Sequence, residues 1–152
     1  MKTTIAVALA ALALAGCASA DKEAQKANDF TRSERALEAA QSAATVSCRD
    51  AAQCDQAWQW TKRYVEQHSE MPVIRADALA IESDVPNRSG RAVYSATRVA
   101  QGSGATITLY AQCRGMYGAD RAMGSDYDEC VKKILTTQNG FVPFLDQHLS
   151  AN

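Results

Sequence analysis

An excess of charge of either sign is missing from this chain. Lysine and arginine number 16 against 17 aspartates and glutamates, a net charge of −1, so the strongly basic face with which a nucleic-acid binder neutralises phosphates is absent. Histidine is scarce: His68 falls at a predicted helix end and His148 near the last residues. A hydrolytic triad needs a nucleophile, a base and an orienting acid, and no Gly-x-Ser-x-Gly elbow accompanies either imidazole. His68 reads as a partner of a helix dipole, and His148 as a surface residue. With 3 prolines and 8 glycines the chain is not low-complexity. No Gly-rich phosphate loop precedes a helix; Gly102-Ser-Gly104 reads as a turn between strands. No Cys-x-x-Cys redox pair occurs, and Cys48-x₅-Cys54 with Cys113-x₁₆-Cys130 lacks the short knuckles of structural zinc. Asp120, Asp126, Asp128 and Glu129 lack the spacing and internal glycine of a calcium loop. Neither metal nor cofactor is expected, and the enzyme classes are left without a positive signal.

What is present begins at the N-terminus. A single charge at Lys2 precedes an uncharged apolar run from Ile5 to Ala15, followed by Gly16-Cys17. This is the layout of a secretory signal. The run is too short for a permanent span, which needs roughly 20 residues for about 30 Å of hydrocarbon. Leu14-Ala15-Gly16-Cys17 resembles the lipobox of bacterial lipoproteins, which implies diacylglycerylation of the Cys17 thiol, cleavage before it and acylation of the new amine. Several acyl chains anchor a protein without a transmembrane helix, each buried CH₂ contributing about 0.8 kcal/mol. Ala18 stands where the lipoprotein pattern places Asp for inner-membrane retention, which implies an outer-membrane protein facing the periplasm.

Removal of residues 1–16 takes away Lys2 and leaves a net charge near −2 on a single-domain length. Assigning Cys17 to lipid leaves Cys48, Cys54, Cys113 and Cys130, an even set that reads as two disulfides in an oxidising compartment.

Residues 17–45 are mostly Ala, Ser, Gln and charged side chains, with Phe30 and Leu37 the only large apolar ones. Such a segment buries too little surface to fix itself in place, so it is expected to be a polar tether, helical toward Ala44. The folded domain is expected over 46–152. Asp50 followed by Gln53 is a capping-box variant, and Ala57, Trp58, Thr61, Tyr64, Val65 and His68 recur at helical spacing, predicting a helix from Ala51 to His68. Short runs from Val73 to Ser83, Arg91 to Ala100 and Ala105 to Arg114, separated by turn residues, predict a three-stranded antiparallel meander. In the third, Ala105, Ile107, Leu109, Ala111 and Cys113 alternate with Thr106, Thr108, Tyr110, Gln112 and Arg114, so one face is buried and the other polar. Val131, Ile134 and Leu135 give a second helix its stripe, with Asn139-Gly140 as its end. Phe141 to Leu149 then forms a last short helix, Pro143 lying in its first turn. The class is α+β, with an N-terminal helix, the meander and C-terminal helices on one face of the sheet.

Cys113 on the inward register and Cys130 in the covering helix make one favoured pair, closing a loop whose cross-link contributes about 3 kcal/mol in the chain-entropy account. Cys48 with Cys54 follows by elimination, on one condition. Six residues along a continuous helix span about 9 Å, beyond the roughly 7 Å reach of a disulfide, so Cys48 must precede the helix. Two other connectivities, including Cys54 with Cys113, stay open.

Cys54-Asp-Gln-Ala-Trp58, Tyr64-Val65 and Ser69 resemble small proteobacterial outer-membrane lipoproteins in which a helix with an Ala-Trp pair leads into a meander bearing a later cysteine, here Cys113. The likeness spans residues 48–117 and implies compartment and architecture, without catalytic residues. An anchor, tether and small disulfide-bonded α+β domain are also similar in arrangement to pilotins, lipoproteins that bind a secretin segment; fold does not imply function. The expected role is a non-enzymatic protein-binding or envelope-assembly module, held to the membrane by lipid and meeting an envelope protein partner, with Trp58, Trp60, Tyr64 and Tyr110 as its candidate binding surface. A small enzyme or ligand carrier with a pocket between helix and sheet near Trp58, Tyr64 and Tyr110 is the competing expectation.

Overall fold

The structure, a computed structural model, describes residues 2–150, with side chains from residue 20 onward. Leu14-Ala15-Gly16-Cys17, and with it the lipidation of Cys17, lies outside the residues whose side chains are described. Among the described residues no helix is long and apolar enough to cross a membrane. The chain divides into two compact units, Met1–Arg35 and Ala36–Asn152. Helix α1 (Lys2–Ala43) supplies all the described secondary structure of the first. There Thr31 Oγ1 donates to Ala27 O at 2.9 Å and Arg32 pairs with Asp29 one turn back.

The second unit starts with the last turns of α1 and continues through β1 (Thr45–Cys48), α2 (Ala51–His68), β2 (Val73–Ala76), β3 (Ala80–Ser83), β4 (Ala92–Gln101), β5 (Gly104–Cys113) and α3 (Tyr127–Ser150), with a single 3₁₀ turn at Ala119–Arg121. All strand pairings are antiparallel in the order β1-β5-β4-β3-β2. The class is α+β as expected, but the three-stranded meander is corrected to a five-stranded sheet. The segment Val73–Ser83 is a hairpin and not one strand, because Asp77 Oδ1 accepts the amides of Leu79 (2.8 Å) and Ala80 (2.9 Å) and turns the chain. β1 begins at the last residue of the stretch expected as tether, and the end of that stretch is itself packed. Ala40 and Ala44 are almost fully buried there, Ala44 O accepts the Leu109 amide, and Gln41 Nε2 donates to Leu109 O at 2.9 Å. Small side chains let the backbone approach closely, and the glutamine amide hydrogen-bonds a β5 carbonyl beyond the end of β1.

Helix α2 matches its expected bounds. Asp50 Oδ1 accepts the Gln53 amide at 2.9 Å, and Gln53 Oε1 reaches back to the Arg49 amide at 3.0 Å, satisfying donors that a helix start leaves unpaired. The two expected C-terminal helices are one helix. Gly140 does not end α3; a side chain added there would meet Tyr64 Oη at 2.8 Å. Glycine is a notch for tyrosine, and Pro143 is carried inside the helix.

Helices α2 and α3 pack on one face of the sheet. Ile81 of β3, Tyr94 and Ala96 of β4, and Ile107 and Leu109 of β5 meet Ala57, Trp58, Tyr64 and Val65 of α2 and Phe141 and Leu145 of α3 in one buried cluster. Alternation along β5 is the one read from sequence, with Ala105, Ile107 and Leu109 buried. Disulfides staple the two helix starts to the sheet. Cys48 at the end of β1 joins Cys54 in the first turn of α2, and Cys113 at the end of β5 joins Cys130 at the start of α3, with Cα separations of 5.1 and 5.7 Å. Cys48 lies before the helix, as that pairing requires.

Candidate functional site

The four aromatic side chains expected to form one binding surface are placed in three environments. Trp58 is 6% exposed, and its Nε1–H donates to Asp77 O at 2.8 Å, fastening α2 to the β2–β3 turn. Tyr64 is 3% exposed and donates to Thr137 O at 2.6 Å. Burial, with Tyr94 beside it, pushes its phenol up to about 12. Trp60 lies between α2 and α3, with the Arg63 guanidinium 4.6 Å over its ring, His148 at 4.0 Å and Phe144 edge-on at 6.0 Å. Tyr110 takes the outward register of β5 and is 41% exposed. Trp58 and Tyr64 are therefore core, and Tyr110 is on the opposite side of the sheet from both. Because Tyr110 is on the other face, the three do not line one pocket; a hollow of about 290 Å³ beside Trp58 is lined also by Asp55, Lys62, Asp77 and Arg98. A solvent-facing register and a core register differ by one residue along a strand, and no sequence feature put Tyr110 with the α2 aromatics.

A hollow of about 460 Å³ opens between the end of α2, the start of β4 and α3, lined by His68, Glu70, Tyr94, Lys132, Lys133 and Thr136 among others. Its chemistry is an ion-paired strut. Lys133 Nζ donates to both Glu70 oxygens (3.1 and 3.0 Å) and to Gly90 O (2.7 Å), and pairs with Glu129 at 2.8 Å. Glu70 also accepts the Ala92 amide at 2.6 Å. Burial works to raise the Glu70 pKa, but the Ala92 amide and Lys133 outweigh it and hold the carboxyl below its ordinary value. The ammonium has its hydrogens engaged, and the arrangement joins three elements. Glu70 and Lys133 are 63 residues apart, and neither carries a motif, so sequence reasoning had no signal for them.

The histidines also serve local structure. His68 Nδ1 is 2.9 Å from Tyr64 O and His148 Nδ1 is 2.7 Å from Phe144 O, so in each ring Nδ1 donates to the carbonyl one turn back. Asp126 is held below its ordinary pKa by hydrogen bonds from Ser125 and Ser89, and Glu129 is taken by Lys133. Among the described residues no three His, Cys, Asp or Glu side chains converge on a metal position.

The opposite face of the sheet has a different character. Its apolar side chains include Ile74 (65% exposed), Val99 (59%) and Tyr110, and a hollow of about 320 Å³ is lined there by Ile74, Glu82, Val85, Val93, Ser95 and Gln112 among others. Compared with protein-family models, curated proteins and solved structures, the chain matches none of them.

Proposed function

We propose that this chain is a lipoprotein of the bacterial envelope, anchored in the outer membrane through Cys17 and facing the periplasm, whose Ala36–Asn152 unit is a non-enzymatic binding or assembly module. The observation that carries the module reading is a sheet covered by α2 and α3 on one face, with the ten-residue strands β4 and β5 turning exposed Val99 and Tyr110 outward on the other. The lipobox residues support the anchor, and two disulfide pairs suit an oxidising compartment.

The face is favoured over the edges as the contact surface. β1 and β2 are each four residues long, and β2 carries a bulge between Val73 and Arg75. Arg75 is ion-paired to Asp77 and Glu82. Short, bulged and charged edges discourage strand addition. The test is intact mass of the protein from the outer-membrane fraction, joined to photo-cross-linking from position 110 and, as a control, from the helix-side position of Lys62. Triacylated Cys17 and cross-links from 110 alone are expected. An unlipidated cytosolic chain overturns the anchor, and equal capture from both positions overturns the module reading.

A further inference from the structure

Hydroxyl groups line up on the outward registers of three neighbouring strands. Thr45 of β1 stands opposite Thr108 of β5, which stands opposite Thr97 of β4; one step along, Ser47 faces Thr106, and Thr106 faces Val99. One step the other way, Tyr110 faces Ser95. Residues two apart share a face, and the intervening Ala96, Ile107 and Leu109 are buried against the helices, so these side chains project away from α2 and α3. Strands lie about 4.8 Å apart and successive same-face residues about 6.7 Å apart, which makes the hydroxyls a two-dimensional grid. Thr45 and Thr108 share a hydrogen bond of 3.2 Å, and Thr106 donates to Gln101 Oε1 at 3.0 Å. Ser47, Ser95 and Thr97 make no side-chain hydrogen bond among the described residues.

Charge and area decide between occupants. No charged residue stands within the grid, and the Arg75 and Glu82 at its margin neutralise each other at 3.2 Å, so neither a phosphate backbone nor a charged protein surface finds a complement. A second copy of the chain is poorly served as well. Counting the strand lengths at about 3.3 Å per residue and 4.8 Å per strand gives a face of about 500 Å², against about 800 Å² per partner in a stable interface. A narrow, uncharged ligand that hydrogen-bonds at regular intervals fits both limits. A polymer of sugar rings laid across the strands meets a fresh hydroxyl at each strand crossing, and the exposed ring of Tyr110 offers a flat surface to the C–H face of a pyranose.

We propose that this face binds a neutral, polyhydroxylated polymer, an extended glycan chain, with Thr45, Thr97, Thr108 and Ser95 as hydrogen-bonding groups and Tyr110 as the ring platform. The assignment rests on the binding-module reading and gives its partner a chemical class. The test is a titration of the full mature chain in detergent, methyl-labelled at threonine, with N-acetylchitohexaose and separately with cellohexaose, both neutral and β-1,4-linked. Methyl resonances of Thr45, Thr97, Thr106 and Thr108 shift with at least one sugar, while Thr61 of α2 and Thr137 of α3, both buried, stay still. Tyr110→Ala and the double variant Thr97→Val/Thr108→Val, which keeps shape and strand propensity, each weaken binding at least tenfold with thermal unfolding unchanged. No shift at millimolar concentrations of either sugar, shifts at Thr61 and Thr137, or unchanged affinity in both variants overturns the assignment. If the sugars are silent while position 110 alone cross-links to an envelope protein, the glycan assignment falls and the module reading survives; silence in both experiments removes both.

Discussion

Removing the two disulfides one at a time separates loop-closure entropy from local packing. They close loops of very different size, with sequence separations of 17 for Cys113–Cys130 and 6 for Cys48–Cys54. The chain-entropy relation gives about 3 kcal/mol for the longer loop and about 2 kcal/mol for the shorter. A unit of roughly 120 residues unfolds with an entropy near 0.25 kcal/mol/K, so Cys113→Ala/Cys130→Ala should lower Tm by about 12 °C and Cys48→Ala/Cys54→Ala by about 8 °C. The pairs lie at different helix starts and share no partner, so the quadruple variant should lose about 5 kcal/mol additively. That is most of the stability of a marginal domain, and the quadruple variant should be partly unfolded at 37 °C. Circular dichroism melts of the three variants measure this, with chemically reduced wild type as a control that keeps side-chain volume. The reasoning is refuted if loss of Cys48–Cys54 costs as much as loss of Cys113–Cys130. In that case burial of Cys48 and Cys54 against Ala105 governs the effect.

Three further outcomes follow from particular contacts. Glu70→Gln should cost about 1 kcal/mol, a surface-type magnitude because both partners of Lys133–Glu70 are partly solvated. Since the folded pKa of Glu70 is lowered, its contribution is present above the unfolded carboxyl pKa and lost as pH falls through the folded value; urea midpoints of wild type and variant should converge on acidification, and a constant gap argues against the carboxylate. Gly140→Ala should destabilise by about 1 kcal/mol or more, despite the usual gain of alanine over glycine in a helix, because the methyl meets Tyr64 Oη; the Tyr64 phenol, pushed up to about 12 by burial, should titrate lower in the variant as its contact with Thr137 loosens, and a spectrophotometric titration unchanged from wild type tells against the notch. Arg121→Gly should raise stability by about 1 kcal/mol, since Arg121 has φ +58° in the turn closed by Ala122 N to Ala119 O, a left-handed position that suits glycine; a lower melting temperature would show that the guanidinium over Tyr117 outweighs the backbone term.

The sequence by itself determined the elements whose information is local. Asp50 and Gln53 with the spacing of Ala57, Trp58, Thr61, Tyr64 and Val65 defined α2 to the residue, because capping and amphipathic period are read within one segment. Alternation in β5 identified the buried register, which in turn brought Cys113 toward the covering helix. Local signals misled where a partner far along the chain decides. Gly140 looks like a helix end until Tyr64 is known to need the space, and Thr45–Cys48, at the expected boundary of tether and domain, is not announced as a strand until β5 supplies its ladder. The Asp77 turn inside Val73–Ser83 was legible in principle, an aspartate followed by two amides it can accept, but it has neither glycine nor proline to announce it. Only tertiary structure decided that Glu70 and Lys133 meet, and that the hydroxyls of Thr45, Thr108 and Thr97 share one row. The physical reason is the same in each case: register and pairing between distant segments are set by which faces the whole chain can bury together, and no single window of sequence contains that sum.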